Sequence, residues 1–414
     1  MAVDLRVNLG GLKLRNPLVV ASSDLGCHVG AIKEAEEYGA AAFITKGCIP
    51  RPGAVGLTRK PRHRVDLKKG TIIGHAGSRR LNLEESKKLI SEAKKAVKIP
   101  VGANIFVMEP TAEEKYYVTR AAQEVYESGA DFIELDATGN LPQHFGETGE
   151  MNVIGEYFAD ELAAKYPGFI YDVIRSTKTV IGVPVMAKVA YENVNVPVLI
   201  QAMEKGGANI IDIGNAAVGL IPGSIDIYHP EKKLGGFVSA NKSTLLSLFG
   251  EPLRSVAQGY LIRSAKILKT PILACGGIMN WQHVVEDIMC GATATASCTI
   301  YMLRGYEVLA KMEKGLRKFM EDQGYSTIEE FRGIILDKVA LSFAEIDVKH
   351  VVAQVDSEKC NGCGLCLKPG HCGLEMRAIG MVDGKAFVNE AQCVGCETCA
   401  SLCPVNAITI IIQK

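Results

Sequence analysis

Cysteine is unevenly distributed in this 414-residue chain, because eight of its thirteen cysteines lie after residue 359. They form two runs, which are Cys360, Cys363, Cys366 and Cys372, and then Cys393, Cys396, Cys399 and Cys403. The charged N-terminus, MAVDLRVNLGG, lacks the apolar stretch of an export signal, so we expect a cytoplasmic protein in which disulfides are rare. Clustered thiolates in that setting indicate metal ligands.

The second run, which ends in Cys403-Pro404, matches the run of bacterial ferredoxins that carry two [4Fe–4S] clusters. The fourth cysteine of each run in those proteins ligates the other cluster. We therefore predict one cluster on Cys360, Cys363, Cys366 and Cys403, and a second on Cys372, Cys393, Cys396 and Cys399. Two structural zinc sites are the alternative, although zinc usually pairs two Cys-x2-Cys units and has no use for a third cysteine at the same step.

Two such clusters conduct electrons, so a redox group that exchanges electrons with them is expected in the first 340 residues. Between residues 17 and 323, short β-branched apolar runs alternate with longer amphipathic stretches, which is the pattern of βα units. Eight units predict a (β/α)8 TIM barrel, with an open doubly wound sheet as the alternative. The predicted strands are 17–21, 41–46, 101–106, 131–136, 183–189, 209–213, 271–275 and 293–297. Predicted helices include 84–97, 111–128, 167–179, 196–205, 252–268 and 304–323.

The predicted domains are the barrel at 1–323, with an N-terminal hairpin at 1–15, a connecting segment at 324–355, and a small ferredoxin-like α+β domain at 356–414. The 46 basic residues balance the 46 acidic ones, which excludes a nucleic-acid binder that works through bulk charge. No apolar run approaches the roughly 18 residues of a membrane span, so no membrane contact is expected.

Two lysines interrupt apolar strands near the predicted C-terminal strand ends, where barrel enzymes place their chemistry. Lys46 ends AAFITK, and Lys188 lies in VPVMAKVA. An unpaired charge there is unfavourable, so each lysine needs an anion, such as the N1/O2 edge of a reduced flavin, or a covalent role as a Schiff base. A lysine that snorkels out of the sheet is the structural alternative. Iron–sulfur clusters favour the flavin, because an aldolase has no use for them.

Small residues follow predicted strands seven and eight, where barrels commonly bind phosphate. Gly276 and Gly277 would let backbone N–H groups approach phosphate oxygens, and Ser297 and Cys298 would complete the nest. Gly250 precedes the helix that leads into strand seven. Ordinary turn glycines are the alternative interpretation of this pattern.

Together with Asn16-Pro17 and Ala21-Ser22-Ser23 around strand one, these features resemble the FMN-binding half of dihydropyrimidine dehydrogenase. The similar bacterial form is a separate subunit, a dihydroorotate-dehydrogenase-like barrel followed by two [4Fe–4S] clusters. The resemblance implies FMN in the barrel and hydride transfer to a C=C bond. It also implies electrons from a FAD-containing partner that oxidises NAD(P)H, in a homodimer or heterotetramer. No Gly-x-Gly-x-x-Gly follows a strand here, so that partner's nucleotide domain is expected on another chain.

By position, the resemblance assigns Lys46 and Lys188 to the flavin ring, with Ala21, Ser22 and Asn104 lining it. Gly250, Gly276, Gly277, Ser297 and Cys298 would hold the phosphate side. Asn215 would face the substrate, and His75 is a further candidate on that side.

The substrate pocket departs from the family pattern. Asp136 stands where the family has asparagine after strand four, and no cysteine lies between Cys48 and Cys275 to protonate the substrate. We expect the acid in the long glycine-rich loop that follows, with His144 and Tyr157 favoured over Glu147, Glu150 and Asp160. Three alternatives remain open: a non-pyrimidine substrate on the same scaffold, a non-catalytic electron-transfer subunit, and a barrel lyase that uses Lys188.

Overall fold

The computed structural model describes residues 3–52, 64–74, 80–108, 110–137, 161–191, 195–219, 228, 246–346, 349–372 and 378–412. The chain divides into two compact units, Met1–Val339 and Ala340–Lys414. None of the helices in these described ranges is long and apolar enough to cross a membrane.

The first unit is a closed barrel of eight parallel strands, and the predicted TIM barrel is confirmed. Each strand lies within its predicted span because short apolar runs form the buried strands of a parallel sheet. Chain order is also the order around the barrel, with the last strand pairing the first. The strands are β1 (Leu18–Val20), β2 (Ala42–Ile44), β3 (Val101–Phe106), β4 (Phe132–Asp136), β5 (Val185–Val189), β6 (Ile210–Ile213), β7 (Ile272–Cys275) and β8 (Ala294–Ser297).

Helices follow each strand and pack around the barrel. They are α1 (Val29–Glu37), α2 (Leu83–Ala96), α3 (Ala112–Glu127), α4 (Glu161–Val180), α5 (Val196–Gly206), α6 (Arg254–Ile267), α7 (Trp281–Met289), α8 (Thr299–Arg304) and α9 (Val308–Gln323). Asn82 starts α2 with a capping box, since its side chain accepts from the Glu85 N–H and Glu85 accepts in return.

Two predicted helices differ from those observed. The helix predicted to begin at Pro167 begins at Glu161, so this proline lies inside α4 and costs a backbone hydrogen bond without ending the helix. The helix predicted from Arg304 to Gln323 begins at Val308 as α9, and a separate short helix, α8, precedes it. Gly305 adopts a φ of 74° between them, a conformation that ends α8 and that glycine tolerates.

A small antiparallel sheet that the sequence did not predict extends from the barrel loops. Its strands run in the order Ala217–Gly219, Leu246–Gly250, Thr71–Gly74 and Arg64–Asp66. A second antiparallel pair, Val7–Leu9 with Leu12–Leu14, precedes β1, as the glycine turn at 10–11 predicts. The antiparallel sheet matters for the site because its strand Leu246–Gly250 ends at one of the predicted phosphate-binding glycines.

The second unit is built from two antiparallel strand pairs. Val351–Val355 pairs with Ile408–Ile412, and Ile379–Val382 pairs with Lys385–Val388. The cysteines lie in the turns between these strands and in two short helical segments, Leu365–Leu367 and Thr398–Ser401. A small apolar core that includes Val352, Ala353, Ala407 and Ile408 packs against the cysteines.

Candidate functional site

A cleft of about 500 Å³ opens at the C-terminal strand ends of the barrel. It brings together nearly all of the residues predicted to bind a flavin, together with the predicted substrate contact Asn215. These lining residues are Ala21, Ser22, Lys188, Asn215, Gly250, Gly276, Gly277, Ser297 and Cys298. Lining residues that were not predicted are Phe249, Leu253, Cys275, Ile278, Ala296 and Thr299.

Glycine backbone forms one wall of this cleft. Gly276 and Gly277 follow β7 with φ values of 129° and 72°, and a Cβ on Gly277 would lie 2.8 Å from the Cα and the backbone N of Arg254. Arg254 is the first residue of α6, so the N-terminus of a 14-residue helix is adjacent to these glycines. Backbone N–H groups of glycines beside a helix N-terminus are suited to a phosphate group, which agrees with the predicted use of this wall.

Replacing Gly277 with alanine is expected to close this wall. The change combines a positive φ with a contact to backbone that cannot move aside, so we expect a loss of about 1–3 kcal/mol in stability and a loss of bound flavin. The measurements are flavin content and the urea midpoint. Gly324→Ala is the matched control, because Gly324 has a φ of 79° but no atom within 4 Å of the position that a Cβ would take. Equal flavin loss in both variants would contradict a role for the space at Gly277.

Lys46 and Asn104 are not among the residues that line this cleft. Lys46 follows β2, is 4% exposed, and places its Nζ 2.9 Å from Asp24 Oδ1. Burial lowers the pKa of Lys46, and the nearby Arg80 cation lowers it further while Asp24 opposes both. The sequence predicted an anion beside each buried lysine. For Lys46, the carboxylate of Asp24 is one such anion.

Lys188 also has a carboxylate partner. Its Nζ lies 3.3 Å from Asp212 Oδ2, and the two residues face each other in the register of β5 and β6. Both are buried, at 3% and 0% exposure. Burial opposes the charge on Lys188, but Asp212, Glu134 and Asp136 outweigh it and raise the pKa of Lys188 well above its ordinary value. Lys188 is held as an ammonium ion.

Glu134, Asp136 and Asn104 extend this buried network onto β3 and β4. The Asn104 side-chain amide donates to Glu134 in a short hydrogen bond and to Asp136 Oδ2 at 3.0 Å. Burial raises the pKa of Glu134 well above its ordinary value, and a hydrogen bond to Asp212 raises it further. The sequence prediction missed Glu134 and Asp212, although each is a charged residue inside an apolar strand, as Lys188 is.

Three predicted residues lie outside the described part of the chain. They are His75 and the two favoured acids, His144 and Tyr157, and the other loop candidates Glu147, Glu150 and Asp160 lie outside it as well. Their roles remain predictions.

The cysteines of the second unit surround two separate cavities. One, of about 330 Å³, is lined by Cys360, Cys363, Cys366 and Cys403. The other, of about 440 Å³, is lined by Cys372, Cys393, Cys396 and Cys399. Each cavity therefore takes three cysteines from one run and the fourth from the other run, and the ligation of clusters by these sets stays a prediction.

Backbone N–H groups point at several of these sulfur atoms. Those of Ala353, Ala386 and Ala407 donate to Cys393, Cys360 and Cys403 at 3.2, 3.4 and 3.2 Å. These donors stabilise a thiolate, and the backbone hydrogen bonds from Ala386 and Gly362 lower the pKa of Cys360. Among the described residues, no group of three His, Cys, Asp or Glu side chains converges as the ligands of one metal ion would. The four sulfur donors around each cavity fit a group that is ligated by thiolates.

Comparison with protein families assigns both units. Residues 4–320 match the family model described as dihydroorotate dehydrogenase, which covers most of the chain. The chain belongs to the dihydroorotate dehydrogenase family. Residues 386–409 match a 4Fe-4S binding domain. The resemblance inferred from the sequence is thereby confirmed.

Several curated proteins are similar to this member of the family. The catalytic subunit of dihydroorotate dehydrogenase B (NAD(+)) from Pyrococcus abyssi is 28% identical over 80% of this chain and 99% of its own length. The NAD-dependent dihydropyrimidine dehydrogenase subunit PreA from Escherichia coli K12 is 25% identical over 88% of this chain and 84% of its own length. The chain is an oxidoreductase of a flavin-dependent family that acts on CH–CH groups, with a 4Fe-4S domain at its C-terminus.

Proposed function

We propose that this chain binds FMN in the barrel cleft and two [4Fe–4S] clusters in its second unit, and transfers electrons between the clusters and a C=C bond of a small cyclic substrate. The observation that carries the proposal is the cleft, which unites the glycine wall, Lys188 and Asn215 at the C-terminal strand ends. Bound flavin would supply hydride exchange with the substrate and one-electron exchange with the clusters.

The residues of the cleft divide the work of holding FMN. Gly250, Gly276, Gly277, Ser297 and Cys298 would hold the phosphate side, and Ala21, Ser22 and Lys188 would lie along the ring. Lys46 lies just beyond the end of β2 and Asn104 lies on the adjacent β3, and both are buried. We propose that both contact the ring of the bound flavin. The ammonium form of Lys188 supports this role over a Schiff-base lyase, because a Schiff base needs the neutral amine.

The two four-cysteine cavities support two clusters. Their ligands would be Cys360, Cys363, Cys366 and Cys403 for one, and Cys372, Cys393, Cys396 and Cys399 for the other. Zinc usually pairs two Cys-x2-Cys units, whereas each cavity here is lined by three cysteines of one run and a fourth from the other. N–H···S hydrogen bonds are one of the means by which proteins tune cluster potentials.

We propose that a partner subunit with FAD oxidises NAD(P)H and reduces the clusters, in a heterotetramer or a homodimer-based assembly. The names of the relatives support this, since both describe NAD-dependent enzymes and call the similar chain a subunit. NADH added anaerobically to the isolated chain should then leave its flavin oxidised.

The substrate class is proposed to be dihydropyrimidine-like, and Asp136 favours a second candidate. Its carboxylate accepts from the Asn104 amide at 3.0 Å, at the position where an asparagine was expected from the family. A carboxylate accepts hydrogen bonds and cannot donate as an amide does, so this position cannot supply the donor that an asparagine would offer. A non-pyrimidine substrate on the same scaffold is therefore the alternative.

The test begins with the cofactor-loaded protein, chemically reduced under anaerobic conditions. Reoxidation of its flavin is then monitored by absorbance. Uracil, thymine, orotate and non-pyrimidine enoyl compounds are added separately. Prompt reoxidation by a pyrimidine is the expected result. Reoxidation only by a non-pyrimidine compound would establish the second candidate, and no reoxidation by any of them would favour an electron-transfer subunit without its own substrate.

The proton donor is proposed to be His144 or Tyr157. With the active substrate in hand, His144→Gln or Tyr157→Phe should slow reoxidation by about 10²-fold or more while chemical reduction of the flavin is unchanged. Tyr116→Phe, on an exposed surface of α3, is the control. Normal turnover in both loop variants would remove these residues from the mechanism.

A further inference from the structure

The buried network around Lys188 contains more acid than base. Three carboxyl groups, those of Glu134, Asp136 and Asp212, accompany the one ammonium group, and all four residues are at most 4% exposed. They lie on the adjacent strands β4, β5 and β6, where Asp136 and Asp212 are the register partners of Lys188 on its two sides. Lys188 lines the cleft, whereas the carboxyl groups are not among the cleft-lining residues.

Asp212 is the carboxylate that pairs with Lys188. The 3.3 Å contact joins Lys188 Nζ to Asp212 Oδ2. Two buried opposite charges at this distance interact strongly, because little water screens them. Burial raises the pKa of Glu134, and the neighbouring Asp212 and Asp136 raise it further while Lys188 opposes the rise. Burial also raises the pKa of Asp212, and the Lys188 ammonium opposes that rise.

We propose that Asp212 is a positioning residue that cancels the charge of Lys188 where this lysine faces the flavin, so that the cleft presents a neutral ion pair to the reduced cofactor. This inference rests on the proposed flavin site. A free ammonium beside the N1/O2 edge would stabilise the negative charge of reduced flavin and raise its reduction potential. Asp212 withholds that stabilisation and keeps the flavin a stronger reductant.

Opposite charge changes in the pair must then shift the potential in opposite directions. Asp212→Asn removes the carboxylate in ion-pair contact with Lys188, makes the network one charge unit more positive, and should raise the two-electron potential. Lys188→Met leaves an uncompensated carboxylate and should lower it. The double variant removes both charges, restores the net charge of the pair, and should return the potential close to that of the wild type.

The experiment is an anaerobic redox titration of the full-length, cofactor-loaded protein against indicator dyes, with the flavin followed by absorbance. Each single variant is expected to change the ratio of reduced to oxidised flavin at a fixed potential by at least about tenfold, or about 30 mV for two electrons. Glu134→Gln leaves the Lys188–Asp212 ion pair in place and should shift the potential less than either single variant of that pair. Asp131→Asn is the control, because this carboxylate forms a partly exposed pair with Lys94, 2.7 Å away, at the start of β4.

Shifts of the same sign in the two single variants, or a double variant that does not return towards the wild-type potential, would overturn the inference. If Asp212→Asn does not bind flavin, the potentials of Lys188→Met and of the double variant still test the inference. Only a charge effect predicts that the potential of the double variant returns towards the wild-type value. A wild-type protein that binds no flavin would instead refute the proposed function. Wild-type binding with unmoved potentials would refute only the role of Asp212.

Discussion

Replacement of Cys372 by serine is expected to remove one iron–sulfur cluster and to leave the other intact. Iron content should fall from about eight to about four atoms per chain, because a [4Fe–4S] cluster needs four thiolates. Cys372 belongs to the first cysteine run, but it lines the same cavity as Cys393, Cys396 and Cys399. The cluster that is lost should therefore be the one held mainly by the second run. Iron analysis and the visible spectrum of the anaerobically purified protein measure this.

Double variants separate this assignment from one in which each run holds its own cluster. Cys372→Ser with Cys396→Ser damages a single cavity and should retain about four iron atoms, whereas Cys372→Ser with Cys363→Ser damages both and should retain none. Both added positions are exposed cysteines, so the two double variants are matched in burial. Cys290→Ser, a buried cysteine of the barrel unit, should keep the full iron content. Reversal of the two double variants would show that the runs do not exchange their fourth ligands, and stoichiometric zinc would exclude clusters altogether.

The barrel could be predicted from the sequence because each of its strands and helix ends is specified by residues that are close together in the chain. Each strand is a short apolar run, such as Val101–Phe106, which is buried along its whole length, and glycines such as Gly129, with a φ of 104°, end helices before the next strand. The grouping of the cysteines into two sets could also be predicted from the sequence. Fixed intervals of three residues limit which thiols can surround one group, and the structure places the eight side chains around two cavities in the predicted sets.

The carboxylates around Lys188 were not predicted because their position depends on register between strands. Asp212 meets Lys188 only because β5 and β6 pair residue 188 with residue 212, and barrel closure sets that register through strand stagger. The sheet that carries Gly250 depends similarly on pairing Thr71–Gly74 with a strand about 175 residues later in the chain, Leu246–Gly250. A strand-by-strand search for charged residues, applied to acids as well as to lysines, would have found Glu134 and Asp212 as candidates but not their contacts.

Substitution of Lys188 by methionine is expected to lower the free energy of unfolding of the flavin-free barrel by about 3–5 kcal/mol, since it leaves Asp212 as a buried charge without its cation. Trp281 is the single tryptophan of the chain and lies on α7 of the barrel unit. Its fluorescence in a urea titration therefore reports on the barrel without a contribution from the second unit.

Lys94→Met provides the matched comparison. It breaks the Lys94–Asp131 pair, whose side chains are 30% and 31% exposed, and should cost less than about 1 kcal/mol because water screens and solvates the remaining carboxylate. The double variant Lys188→Met with Asp212→Leu removes both buried charges, and should recover most of the stability that the single variant loses, since an apolar pair replaces an ion pair at little cost. Equal urea midpoints for Lys188→Met and Lys94→Met would contradict a strong buried pair. Failure of the double variant to recover would mean that Lys188 stabilises the barrel through its other carboxylate neighbours, Glu134 and Asp136, and not chiefly through Asp212.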